Sequence, residues 1–150
     1  MRIRPATAAD LPAMVGLLGQ LFAIETEFVV DPICQERGLA LLLEAPQACL
    51  MVADVGDVVG MVTVQTLIST AEGGPVGLLE DLVVDQGWRG RGIGSALLQA
   101  ALAWAFSRGL SRVQLLADVQ NPRAFAFYSR HGLRRTRMVC LRAVSEARLL

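Results

Sequence analysis

The residues best suited to chemistry lie between Leu78 and Leu98, LLEDLVVDQGWRGRGIGSALL. An apolar, strand-like run ends at Asp85. After a short turn, Arg89, Gly90, Arg91, Gly92, Ile93, Gly94 and Ser95 open an Ala/Leu-rich helical run. Glycines without a Cβ let the backbone approach a ligand closely, and first-turn helix amides have no internal acceptors. Arg89 and Arg91 flank them, and the planar fork of a guanidinium donates two hydrogen bonds at once. Strand, glycine turn and helix N-terminus together suit a pyrophosphate. Two rival phosphate motifs fail. The dinucleotide pattern GxGxxG meets Leu97 where its third glycine belongs, and this turn lies past mid-chain rather than in a first βα unit. Walker A needs a lysine, and the chain has none.

Glu80 and Asp81 are adjacent carboxylates inside the apolar run. A period of two sends them to opposite faces, and burial of either costs free energy unless it is partnered. One of them is expected to face a cleft; the alternative is an ion pair with an arginine. Tyr128, the one tyrosine of the chain, stands beside Phe125 and Phe127. Its phenol can give a proton to a leaving group, or it can serve as a core aromatic with a satisfied hydroxyl. His131 falls at a helix C-terminus, where a dipole-stabilised cap is expected. Cys34, Cys49 and Cys140 are odd in number and lie outside any CxxC or Cys/His cluster. Neither a disulfide framework nor a metal site is expected, and the cysteines read as buried small apolar residues. Met138 and Cys140 are assigned to the core.

The elements that must position these groups follow from periodicity and punctuation. Ile3 between Arg2 and Arg4 marks a first strand within 1–5. Thr7 is an N-cap with Asp10 at the box position, and Leu11, Met14, Val15, Leu18 and Phe22 recur at helical spacing. Pro32 opens a second helix. Cys49–Val55 and Val58–Ile68 form a hairpin across Gly56-Asp57. Val76–Asp85 is the next strand, and 91–108 the strongest helix, with Gly109 at its end. Val113–Ala117 is a short strand, 121–130 a helix stopped by Gly132, and Thr136–Ala143 a last strand. The order β-α-α-β-β-β-α-β-α-β predicts one mixed α/β domain over 1–150.

Composition bounds the rest. The chain is 53% hydrophobic, too apolar for disorder. Its longest apolar runs, such as Leu39–Leu43, are too short to span a bilayer, and residues 1–12 lack the apolar run of a signal peptide. A cytoplasmic protein that does not engage membranes is expected. The high apolar content also suggests a face covered by a second copy, hence a homodimer. Net charge is zero but uneven: residues 1–75 carry nine acids and three arginines, residues 76–150 five acids and eleven arginines. That asymmetry suits an anionic ligand on the C-terminal half. The basic half is small for nucleic acid, which is not expected as a partner.

Arg89-x-x-Gly92-x-Gly94 resembles the Arg/Gln-x-x-Gly-x-Gly/Ala signature of the GNAT superfamily of N-acetyltransferases. The likeness extends to Leu82, Val83 and Val84 before the turn, to Asn121, to Phe127-Tyr128 followed by Gly132-Leu133, and to the opening IRPATAADLP. It implies an α/β fold with a mostly antiparallel mixed sheet, a splayed strand pair and helices on both faces. It implies acetyl-CoA as co-substrate and no metal. Arg89 to Ser95 would hold the pyrophosphate, the backbone of Leu82, Val83 and Val84 the pantetheine and thioester carbonyl, and Asn121 and Tyr128 would add contacts. Tyr128 would protonate the departing thiolate. Glu80 is the expected base, with Asp81 or a water chain as alternatives, and backbone amides near Val83 the expected oxyanion donors. The acceptor would be a primary amine of a small molecule: a diamine, polyamine, aminoalkylphosphonate or amino acid. Glu25, Glu27 and Asp31 suit a cationic acceptor; Arg134, Arg135 and Arg137 suit a phosphonate. A non-catalytic acyl-CoA-binding or sensory module, and a protein N-terminal or lysine acetyltransferase, are the alternative readings.

Overall fold

Apolar strands and helices form where the sequence periods require them. In a computed structural model that describes residues 1–25 and 27–145, they form two units, Met1–Leu115 and Leu116–Leu150. The first unit contains β1 (Arg2–Pro5), α1 (Leu11–Ile24), α2 (Pro32–Glu44), β2 (Ala48–Asp54), β3 (Val58–Ser69), β4 (Gly74–Val84), α3 (Ile93–Ser107) and β5 (Val113–Gln114). The strands lie in the order β1-β2-β3-β4-β5, antiparallel except for the parallel β4–β5 pair. This is the mixed, mostly antiparallel sheet that was expected. β5 stops at Gln114 rather than Ala117.

Helices cover both faces of this sheet. On one face Met14, Leu17 and Leu18 of α1 and Leu39 of α2 bury against Leu50, Val52, Met61 and Val83. On the other, α3 sits close to β3 because position 60 is glycine. A Cβ there would lie 2.9 Å from Leu97 Cδ1 and 3.1 Å from the Val83 carbonyl oxygen. The N-terminal turns of α3 are thereby seated on the sheet beside β4. α3 ends at Gly109, whose φ of +79° suits glycine. The Leu110 N–H then reaches the Ala105 carbonyl at 3.1 Å and the Gly109 N–H the Phe106 carbonyl at 3.1 Å. Among the described residues no helix is long and apolar enough to cross a membrane.

Arg4 ties three elements together. Its fork donates to both oxygens of Asp10 at 2.8 and 2.9 Å, and its Nε to Asp54 at 2.9 Å. Asp10 also accepts from the Thr7 N–H at 2.8 Å and from the Thr7 hydroxyl at 3.1 Å, closing the turn that leads into α1. The Arg4 hydrogen bond, with help from Thr7, holds the Asp10 carboxyl down to about 2. A carboxyl held below its unfolded value stabilises the fold fully above about pH 4, and that contribution is lost as the pH falls toward about 2. Asp10→Asn is therefore expected to flatten the acid limb of unfolding free energy between those values. Denaturant melts across that range test it; an acid limb of unchanged slope would show the pair to be silent.

The second unit contains α4 (Pro122–Arg130). Asn121 Oδ1 accepts from the Ala124 N–H at 3.1 Å, and Gly132, at φ +84°, ends the helix with the Leu133 N–H on the Tyr128 carbonyl at 3.1 Å. The last strand expected over Thr136–Ala143 is not formed. Residues 133–145 hold no strand. β-Propensity acts through neighbours, and among its described residues this unit holds no strand for the segment to pair with. Met138 is accordingly 87% exposed and Cys140 is exposed, which corrects their assignment to the core. Of the cysteines only Cys49 is buried, and burial pushes its thiol up to about 11. Cys34 is half-buried at the start of α2.

Candidate functional site

β4 is paired on both edges only at its beginning. β5 meets it at Gly77 and Leu78, and from Leu79 to Val84 the edge turned away from β3 has no strand partner among the described residues. A one-residue bulge lies in the middle of this stretch. Val64 pairs with Leu79 and Val62 with Leu82, so Glu80 and Asp81 both stand opposite Thr63. The bulge interrupts the simple alternation from which opposite faces were expected for the two carboxylates. The Asp81 N–H donates to Thr63 Oγ1 at 3.1 Å, and the Thr63 hydroxyl donates to Asp81 Oδ2 at 3.2 Å.

Beyond the bulge, regular alternation decides which backbone groups are available. The Asp85 N–H reaches the Val59 carbonyl at 2.8 Å, and the Val83 carbonyl also faces β3. Peptide groups alternate in direction along a strand, so the N–H groups of Leu82 and Val84 point to the open edge. The Val84 carbonyl points the same way, since Arg89 Nε donates to it at 3.0 Å. Val83 itself is turned inward, with its side chain in the core.

The carboxylates differ in environment. Glu80 is exposed and Asp81 is half-buried. Burial pushes the Asp81 carboxyl up to about 6, with the charges of Glu80 and Glu25 acting in the same direction against the Thr63 hydrogen bond. A carboxylate in that range exchanges protons near neutral pH.

The turn after β4 is set mainly by hydrogen bonds, since Gln86, Gly87, Arg89, Gly90, Arg91 and Gly92 are all exposed. Asp85 begins it. Asp85 Oδ1 accepts from the Gly87 N–H at 2.9 Å, and Oδ2 accepts from Gln20 Nε2 at 2.8 Å. These bonds, Gln20 foremost, hold its carboxyl below the usual range. Gly90 and Gly92 take φ of +75° and +78°, and nothing lies within 4 Å of where a Cβ on either would stand. Glycine is thus required by the backbone, and the space in front of it is open. The N–H groups of Ile93, Gly94 and Ser95 have no acceptor among the described residues. Arg91 lies over the Trp88 ring at 4.7 Å. Open amides, positive-φ glycines and two arginines fit a diphosphate.

Leu82, Val83, Val84 and Arg89 to Ser95 thus fall on one continuous strand–turn–helix, with Glu80 on the same strand. Asn121 and Tyr128 belong to the second unit. Asn121 caps α4 through its Oδ1. Tyr128 is half-buried, its ring edge-on to Phe127 at 5.2 Å. His131 Nδ1 lies 2.8 Å from the Phe127 carbonyl, at the cap position expected for it. Two polar partners escaped the sequence reading, Thr63 and Gln20. Gln20 did leave a trace, because it is the single polar side chain among the fourteen residues of α1. A separate cavity of about 260 Å³ lies at the opposite end of α3, lined by Leu42, Leu43, Cys49, Trp104 and Arg108 among others.

Comparisons with known proteins show what the chain as a whole is similar to. The sequence profile of the Acetyltransferase (GNAT) family matches residues 20–133. An aminoglycoside N(6')-acetyltransferase type 1 of Stenotrophomonas maltophilia is 31% identical over 140 residues, 91% of this chain and 88% of that protein. An uncharacterized N-acetyltransferase of Methanocaldococcus jannaschii is 39% identical over 72 residues, 48% of this chain, which spans 32% of that protein's length. Among solved structures, a transcriptional regulator from Bacillus halodurans C-125 superposes with a TM-score of 0.84 at 27% identity, covering 95% of this chain and 99% of that one.

Proposed function

The chain belongs to the acetyltransferase (GNAT) family, and from that premise we propose that it moves the acetyl group of acetyl-CoA to a primary amine of a small cationic molecule by direct attack in a ternary complex. The observation that carries this reading is the unpaired edge of β4 running into the open-amide turn at Gly92. It offers donors, in chain order, for a thioester carbonyl and then for a pyrophosphate.

Acetyl-CoA supplies the acetyl group activated as a thioester. The N–H groups of Ile93, Gly94 and Ser95, with Arg89 and Arg91, hold the pyrophosphate. The N–H groups of Leu82 and Val84 orient the pantetheine arm and stabilise negative charge on the carbonyl oxygen. Asp81 takes a proton from the amine as the C–N bond forms. Tyr128 gives a proton to the sulfur as the C–S bond breaks. The raised titration of Asp81 supports giving it the base role that the sequence favoured for Glu80. Exposed Glu80, with Glu25, then attracts the cationic acceptor. The relative from Stenotrophomonas maltophilia, named for an aminoglycoside, supports a polyamino acceptor over an aminoalkylphosphonate or amino acid.

The test is thiol release from acetyl-CoA against aminoglycosides, polyamines, aminoalkylphosphonates, amino acids and short peptides. Stimulation by the polycationic amines is the expected result. Acetyl-CoA binding without release from any of them would favour a sensory module, and release stimulated by peptides a protein acetyltransferase. The pyrophosphate assignment has its own probe. Gly92→Val is expected to abolish acetyl-CoA binding, but at φ +78° it also strains the start of α3. Gly94 lies inside the helix without a positive φ, so Gly94→Val separates the effects. Its affinity for acetyl-CoA should fall by about tenfold or more with the fold retained. Unchanged calorimetric affinity in both variants would remove the assignment.

A further inference from the structure

Gln20 projects from α1 and makes two hydrogen bonds to the chain just past β4. Its Nε2 donates to Asp85 Oδ2 at 2.8 Å, and its Oε1 accepts from the Gln86 N–H at 3.0 Å. Its carboxamide therefore grips two successive residues where the turn begins. The turn itself is largely exposed, with only Asp85 and Trp88 half-buried, so burial does little to locate it. What fixes it is a relay of bonds. The Asp85 N–H is held by the Val59 carbonyl at 2.8 Å, Asp85 Oδ1 takes the Gly87 N–H at 2.9 Å, and the Asp85 carbonyl takes the Trp88 N–H at 2.9 Å. Trp88 then carries the Arg91 guanidinium over its ring. Arg89 Nε on the Val84 carbonyl and Arg91 on the Gly87 carbonyl add to the relay, but the bonds that start the turn pass through Asp85.

We infer that Gln20 is a positioning residue for the co-substrate: from α1 it sets the start of the turn that presents Arg89 and the Gly92–Ser95 amides to the pyrophosphate. The inference rests on the acetyl-CoA reading given above. It explains why an otherwise apolar helix carries one amide at this position. A carboxamide is matched to the task because it offers a donor to the Asp85 carboxylate and an acceptor to the Gln86 N–H at once. Glutamate would keep the acceptor, lose the donor and repel Asp85.

That chemistry sets the experiment. The dissociation constant for acetyl-CoA is measured by calorimetry, without an acceptor amine, for the native chain, Gln20→Ala, Gln20→Glu and the pair Gln20→Glu with Asp85→Asn. Unliganded melting temperatures are recorded alongside. The single variants are expected to bind about tenfold more weakly, the scale of two lost hydrogen bonds. The double variant should recover most of the affinity. In it the amide introduced at position 85 can donate to the carboxylate introduced at position 20, while its oxygen still accepts from the Gly87 N–H. A purely structural role would lower melting temperatures and leave the dissociation constants alone. Native-like binding by Gln20→Ala, or a double variant no better than Gln20→Glu, overturns the inference and spares the proposed function. A native chain that does not bind acetyl-CoA overturns both.

Discussion

Asp81→Asn should lower turnover by about 10²–10⁴ and at the same time raise the melting temperature at neutral pH. The two effects have one origin. Burial and the neighbouring charges of Glu80 and Glu25 raise the Asp81 carboxyl to about 6, against about 4 in an unfolded chain. A folded value above the unfolded one means that ionisation works against the fold. The penalty is absent below about pH 4, grows between the two values, and is complete above about pH 6. Its size is on the order of 3 kcal/mol. An amide has no charge to bury, and its oxygen can still accept from Thr63, so the variant escapes the penalty and keeps its place in the bulge. It cannot take a proton, and the chemical step suffers. In the native enzyme kcat/KM should rise through about pH 6 as Asp81 ionises, and that limb should vanish in the variant. Glu80→Gln is the control. Exposed as it is, Glu80 should influence the KM of a cationic amine more than kcat. A large fall in kcat from Glu80→Gln, with Asp81→Asn near native, would return the base to Glu80.

The position of Asp81 also marks where sequence reading stops. Features set by neighbouring residues were legible. Gly109 and Gly132 end their helices because the left-handed conformation there suits glycine, and the β2–β3 hairpin turns where Gly56 takes φ +108°. The turn from Arg89 to Ser95 was legible for the same reason, since its chemistry lies in its own amides and glycines. The bulge at Glu80 and Asp81 was not. Nothing in LLED demands an extra residue, and the irregularity exists only in the register against Thr63, eighteen positions away. Moving the pairing by that one residue also moved the outward amides from Val83 to Leu82 and Val84. Gln20 was visible as a lone amide in an apolar helix, but its partner lies 65 residues further on, beyond any local pattern. The segment at 136–143 failed in the opposite way. Its composition is strand-like, but a strand exists only where another edge takes up its backbone bonds.

Tyr128→Phe isolates the other end of the proton inventory and should lower turnover by about 10²–10⁴ with little change in acetyl-CoA affinity. The substitution deletes one oxygen and keeps the ring, so the edge-on contact with Phe127 at 5.2 Å and the helix end built on the Tyr128 carbonyl both survive. That carbonyl already serves the Leu133 N–H, and backbone bonds do not depend on the side chain. A loss of activity in a variant with native melting temperature therefore belongs to the hydroxyl. A departing thiolate that must leave unprotonated becomes less demanding as its own basicity falls, so an acyl donor with a more acidic thiol should recover much of the lost rate in Tyr128→Phe and little in Asp81→Asn. Equal recovery in both variants would mean that Tyr128 is not the group that protonates sulfur. A native rate in Tyr128→Phe with acetyl-CoA itself would reduce the tyrosine to a packing residue of α4 and leave the thiolate to depart into solvent.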